Sequence, residues 1–257
     1  MKQPKRIGKC IYCGTTNPPL TDEHVIPYGL NGDVKLLEAS CQECAKITSR
    51  FERIILRDSL FVLRAALGSK TRNKKERDVE RPMVIVKEGV RQTIEAHWKD
   101  HWKVIHLPVF KPPAFLDGRA YGGGIEITHV EVITIPETPG ETLKKHDADD
   151  VIHRLEDQLK IFTAYAKLLA KIGYGLAVQN LGMDAIEDAH LVRGMLGQSN
   201  DLGRWVGCDG QRIISSTQYQ HCETRLDITN GVIVVRVRLF DGTEYIVVVG
   251  RFREAVK

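Results

Sequence analysis

The chain has 257 residues, 42% hydrophobic and 27% charged, a balance that excludes global disorder and suits one large domain or two modest ones. A formal net charge of +4 is too small to announce a polyanionic partner by itself, so local clustering has to decide that question. No apolar run is read as approaching the roughly 18 to 20 residues that cross a bilayer, and the basic start from Met1 to Arg6 leads into no apolar signal core, so the expectation is a soluble, cytoplasmic protein without a membrane partner.

In chain order, residues 1 to 58 are dense in ligand-type residues and turn formers and too poor in core to fold without a staple. Cys13 to Pro19 reads as a loop, Leu20 to Ile26 as a short strand, and Tyr28 to Asp33 as a Gly-bearing turn. Glu43 to Leu67 has helical spacing, with Ile47, Phe51, Ile54, Ile55 and Phe61 available for one face. Ser69 to Arg81 is strongly basic and ends at Pro82, which marks a linker. Met83 to Val86 and Val90 to His97 form a predicted hairpin around Glu88-Gly89, followed by strands at Trp102 to Phe110 and Gly124 to Ile135. Pro136 to Asp150 reads as a polar loop. Val151 to Val178 has the period of a long helix, with Leu155, Leu159, Phe162, Ala166, Leu169 and Ile172 on one stripe and Gly173 and Gly175 weakening its end. Val232 to Leu239 and Tyr245 to Val249 are β-forming runs joined across Asp241-Gly242. The expected fold class is therefore α+β: a small module at 1–67, a basic linker at 68–81, and an α+β domain at 82–257 with antiparallel strands and a long helix.

The strongest chemical signal is two C-x2-C pairs, Cys10/Cys13 and Cys41/Cys44. Each pair sits on a tight turn whose sulfurs converge, and four thiolates complete a closed tetrahedral shell suited to structural Zn2+. Such a shell leaves no open position to activate water, so chemistry must come from other side chains. Between the pairs lies Leu20-Thr21-Asp22-Glu23-His24-Val25-Ile26-Pro27. An imidazole near its ordinary titration range can accept a proton at neutral pH, while a carboxylate on the opposite side of the strand can hold a hard cation.

Bracketed in this way, Cys-x2-Cys, Glu-His-Val-Ile-Pro and Cys-x2-Cys resemble the HNH nuclease superfamily, over Cys10 to about Glu52. The resemblance implies a zinc-stabilised, treble-clef-like ββα-metal module. It implies a metal-dependent endonuclease hydrolysing phosphodiester bonds in nucleic acid, with DNA favoured, His24 as general base, Glu23 as a ligand of a catalytic Mg2+ or Mn2+, and both residues catalytic. Family members commonly carry Asn or His after the last cysteine as a second metal ligand; this chain has Ala45, which directs that role to Glu52, two helical turns on, with Ser49 and Thr48 nearby. The middle Asn of the family name has Asn31 as its candidate. Two alternatives stand beside the nuclease: a zinc-dependent nucleic-acid or protein-binding module that does not cut, which Ala45 motivates, and a nuclease effector gated by the C-terminal domain.

Lys70, Arg72, Lys74, Lys75 and Arg77 of the basic stretch are candidate phosphate contacts, against the reading of a solvated linker. His97, His101 and His106 with Trp98 and Trp102 read more readily as lining a half-buried strand than as a metal site. Gly122-Gly123-Gly124 lacks the following Lys-Ser/Thr of a phosphate loop and is rejected as one. Lys160, Lys167 and Lys171 are expected on a solvated helix face, and Cys208 and Cys222 as ordinary small buried residues.

Overall fold

A computed structural model of the chain describes residues 4–72, 79–134, 139–152, 158–209, 222–240 and 242–254. The N-terminal part contains β1 (Lys5–Arg6), β2 (Leu20–His24), β3 (Lys35–Cys41), α1 (Gln42–Arg53), a π-helical turn (Ile54–Ser59) and α2 (Phe61–Ala66). Then follow β4 (Arg81–Lys87), β5 (Val90–Ala96), β6 (Val104–Phe110), α3 (Ala114–Asp117), β7 (Ile127–Thr134), α4 (Pro139–His146) and β8 (Asp150–Ile152). The long helix α5 (Gln158–Leu181) leads to β9 (Ile186–Glu187), α6 (Leu191–Leu196), α7 (Leu202–Trp205), β10 (Val206–Cys208), β11 (Glu223–Thr229), β12 (Val232–Arg238) and β13 (Glu244–Phe252). Among the described residues the strands form four sheets, ordered β1-β3-β2, β5-β4-β8, β6-β7 and β10-β13-β12-β11 with β9 on β13. Apart from the parallel pair β1 and β3, the described pairings are antiparallel, so the protein is mixed α+β with a long helix.

The predicted hairpin at Glu88-Gly89 is present: Lys87 pairs with Val90, and both turn residues have positive φ (51° and 71°), as a two-residue turn matched to strand twist requires. A second such turn, at Asn230-Gly231 (φ 51° and 72°), joins β11 to β12 and escaped the sequence reading. Strands β12 and β13 pair as predicted, but across a longer connection at 239–243, of which Asp241 lies outside the described residues. The strand predicted before the first turn is β2; its partner β3, to which the sequence reading assigned no residues, has Leu36 and Ala39 at its buried positions.

Two helices differ from expectation. The predicted helix over 43–67 is broken by the π-helical turn, in which the Leu60 amide donates to the Ile55 carbonyl at 2.8 Å. The extra residue lets Ile55, Leu60 and Leu63 all face the core, and the displaced Leu56 carbonyl accepts from Arg64 Nη1 at 2.6 Å. Of the helix predicted to begin at Val151, Asp150–Ile152 is instead a strand that pairs with Val84–Val86; the helix is described from Gln158 on, and 153–157, with Leu155, lie outside the described residues. The polar loop expected up to Asp150 contains α4.

Nor do the glycines end α5. A Cβ at Gly173 would lie 2.6 Å from Val247 Cγ1, and one at Gly175 would lie 3.4 Å from the Val25 Cα, so both allow close approach by neighbouring chain. The helix is buried nearly all round rather than along one stripe, with Leu159 exposed at its start. Contrary to expectation, it is long and apolar enough to cross a membrane, yet 78% of its most apolar window is buried inside the protein. One continuous apolar cluster runs from Cys10, Ile11 and Val25 through Phe51 and Ile55, along α5, to Val235, Tyr245 and Val249. A small second cluster, Met83, Ile85, Ala96 and Val151, sits under β4, β5 and β8.

Candidate functional site

Cys10 and Cys13 lie on the turn after β1, where the Gly14 amide donates to the Cys10 carbonyl at 2.9 Å and the Cys10 amide to the Thr15 carbonyl at 2.8 Å. Cys41 ends β3 and Cys44 lies in the first turn of α1. The four sulfurs all lie within 4.8 Å of one another, forming a cluster able to hold a metal ion such as zinc. The Cys13 and Cys41 sulfurs are 3.7 Å apart, close to the edge of about 3.8 Å that a tetrahedron with Zn–S bonds near 2.3 Å has. Burial and the charge of Cys10 push the Cys44 thiol well up, so a cation is needed for all four to ionise together. Among the described residues no other His, Cys, Asp and Glu group is gathered this tightly.

Glu23 and His24 end β2, on opposite sides as strand alternation dictates. Glu23 turns into the protein and is 8% exposed. Glu52, at the end of α1, turns toward the same point. The two carboxylates meet as expected, but around an ammonium: Lys171 Nζ from α5 is 2.6 Å from Glu23 Oε1 and 2.5 Å from Glu52 Oε1, and donates to the His24 carbonyl at 2.9 Å. Lys171, expected on a solvated face, is 1% exposed. Burial by itself lowers a lysine; the fields and hydrogen bonds of Glu23 and Glu52 more than reverse this and hold Lys171 above its ordinary range. The donor set predicted for a catalytic Mg2+ or Mn2+ therefore does not fit that ion, because its two carboxylates already enclose a cation and Ala45 offers no ligand. The nearby Thr48 hydroxyl donates to the Ala45 carbonyl at 3.2 Å.

His24 is half-buried at the wall of a cleft of about 1030 Å³ that Tyr28, Ala45, Ser49, Glu52 and Lys171 also line. Burial, then the positive charges of Lys35, Arg72 and Lys171, hold its imidazole below its ordinary pKa, so it stays neutral at physiological pH. Its Nδ1 is buried without a hydrogen-bond partner among the described residues, and its ring stands 5.8 Å from that of Tyr28.

The cleft rim is basic. Arg50, Arg53 and Arg57 recur on α1 and the π-helical turn at a spacing that keeps them on one side, and all three line the cleft. Lys70 and Arg72, predicted phosphate contacts, line it too; Lys74, Lys75 and Arg77 lie outside the described residues. Lys70 is anchored by an ion pair with Asp33 and by its amide donating to Asn31 Oδ1 at 2.8 Å, so Asn31 ties down the start of the basic stretch. Arg64 supports the fold, donating to the carbonyls of Gly29 (2.7 Å), Leu56 (2.6 Å) and Lys70 (3.1 Å).

Sequence reasoning misplaced Lys171 and missed Arg50, Arg53 and Arg57. A lysine flanked by Leu168-Leu169-Ala170 and Ile172 is the one available signal for the first, and the spacing of Arg50, Arg53 and Arg57 for the second. The histidines near 100 serve the fold: His97 Nδ1 accepts from the Lys99 amide, and His101 Nε2 lies 3.0 Å from the Ala96 carbonyl and 3.2 Å from that of Arg81. Cys208 is buried, its sulfur accepting from the Phe110 amide. No family model, curated protein or solved structure matches the chain.

Proposed function

We propose that the basic cleft binds a nucleic-acid backbone, DNA in the first instance, and that His24 is the general base of phosphodiester hydrolysis there. The observation that carries the reading is a half-buried imidazole on the wall of a large cleft whose rim holds Arg50, Arg53, Arg57, Lys70 and Arg72. The order β2, β3, α1 between and around two cysteine pairs agrees with the resemblance to zinc-stabilised HNH nucleases. In the proposed reaction His24 takes a proton from water as the water oxygen bonds to phosphorus. The bond from phosphorus to the leaving oxygen then breaks, and that oxygen takes a proton from the solvent. The rim guanidinium groups hold the phosphate and balance the charge that develops on it. The four cysteines hold a structural Zn2+ that fixes the strand carrying the dyad.

Incubation of the zinc-loaded protein with plasmid and single-stranded DNA, beside His24→Ala at matched zinc content, tests this. Cutting reduced at least about 100-fold in the variant is expected; equal cutting would remove His24 from the role. A second reading, binding without cutting, is favoured by Ala45 and by the filled position between Glu23 and Glu52. Salt-sensitive DNA binding with no product under any condition would select it.

A further inference from the structure

We infer that Lys171 is the resident cation of the Glu23 and Glu52 pair, supplied by the long helix in place of a divalent ion, so that the cleft works without Mg2+ or Mn2+. An ammonium has three N–H donors. Here three acceptors surround it: Glu23 Oε1, Glu52 Oε1 and the His24 carbonyl, at 2.6, 2.5 and 2.9 Å. With its donors engaged and its side chain 1% exposed, Lys171 does not reach a substrate; it is a positioning residue. It neutralises one of the two charges that would otherwise draw in a metal, and it grips the main chain of the residue whose imidazole lines the cleft.

A divalent ion taking this place would have to bind both carboxylate oxygens within about 2.0–2.6 Å. It would also leave a buried ammonium without its two carboxylate acceptors, in a helix too tightly packed to withdraw it. Gly173 against Val247 and Gly175 against Val25 hold α5 in that position. Lys171 also gives the backbone of His24 a support that its Nδ1, without a partner among the described residues, does not.

The inference rests on the proposed reading of the cleft as a phosphodiester site, and metal binding and cutting are measured separately so that either can fail alone. Zinc-loaded full-length protein is titrated with Mn2+, free Mn2+ being followed by its paramagnetic resonance signal, in the wild type, Glu23→Gln, Lys171→Ala and the double variant Lys171→Ala/Glu23→Gln. The wild type is expected to bind no Mn2+ that Glu23→Gln abolishes. A folded Lys171→Ala is expected to gain one bound Mn2+, lost again in the double variant. A wild-type site lost in Glu23→Gln would overturn the inference, as would a folded Lys171→Ala that gains none. Should Lys171→Ala not fold, judged by circular dichroism and zinc content, the wild type and Glu23→Gln decide alone. Where DNA is cut, rates in buffer depleted of other divalent ions and in Mg2+ are expected to agree within about twofold, and a tenfold fall on depletion would overturn operation without a metal. Absence of cutting throughout, with the Mn2+ pattern as expected, would sink the nuclease reading and leave the cation assignment standing.

Discussion

His24 takes its character from its surroundings. Its imidazole has lost part of its water and faces Lys35, Arg72 and Lys171, all of which disfavour the protonated form. In the proposed reaction, such a base is expected to give a rate that rises with pH through a midpoint below the ordinary value of 6.5 and is flat above it. Arg72→Gln removes one of the opposing charges and is expected to move that limb to higher pH, read from the rate profile or from the His24 ring proton shifts. No movement would mean that Arg72 does not act on His24. The sign for stability follows from the same lowering: the unfolded chain protonates this residue first, so its contribution is complete above about pH 6.5 and is lost as pH falls through the lower folded value. Lys171 is held in the opposite sense, its charge required by two carboxylates. Lys171→Met, which takes the ammonium away from both, is expected to cost about 3–5 kcal/mol in chemical denaturation, a range set by broken buried ion pairs. A cost below about 1 kcal/mol would mean that water replaces the ammonium.

At the scale of elements, α5 is the part whose details depend most on its neighbours. In an isolated helix, Gly173→Ala would be favourable by about 1 kcal/mol. Here the added Cβ would meet Val247 Cγ1 at 2.6 Å and Val247 Cβ at 2.8 Å, and a β-branched side chain on a central strand has little freedom to turn aside. Overpacking of this kind costs about 1–3 kcal/mol, so Gly173→Ala is expected to destabilise despite its better helix propensity. Val247→Ala in the same chain is expected to recover part of the loss, measured as a coupling in a double-mutant cycle. Strict additivity would place the clash elsewhere. The π-helical turn before α2 is also a product of packing, since it brings Leu60 and Leu63 to the same core as Ile55 and leaves the Leu56 carbonyl to Arg64.

For the whole molecule, the cysteine cluster and the candidate dyad belong to the same packed body as the C-terminal strands. Tyr174 donates its hydroxyl to the Ile11 carbonyl at 2.8 Å beside the cysteines, and Lys171, one turn before it, holds Glu23, Glu52 and His24. Structural zinc contributes about 10–16 kcal/mol of apparent binding energy, comparable with the 5–15 kcal/mol that ordinarily separates folded from unfolded domains. Removal of zinc by a strong chelator is therefore expected to abolish one thermal transition shared by the whole chain, followed by circular dichroism alongside zinc release. A C-terminal transition surviving at its original temperature would show that the continuous apolar cluster does not couple the two parts. A fragment of residues 1–67 is expected to lack a stable fold even with zinc, for want of Lys171, Tyr174 and the face of α5 that covers Val25 and Ile11.

The features legible in the sequence are those in which chemistry recurs at short range. Cys10/Cys13 and Cys41/Cys44 converge because each pair shares one turn, Glu23 and His24 diverge because neighbours on a strand must, and the Glu88-Gly89 turn follows from the residues that tolerate positive φ. Only the tertiary structure decided what Glu23 and Glu52 would hold. A lysine in an apolar helix reads the same whether it faces water or two carboxylates, and the answer depended on a strand 147 residues away in the chain. The charge on a buried group is settled by the sum of its desolvation and its partners, and those partners exist only once distant segments have packed together.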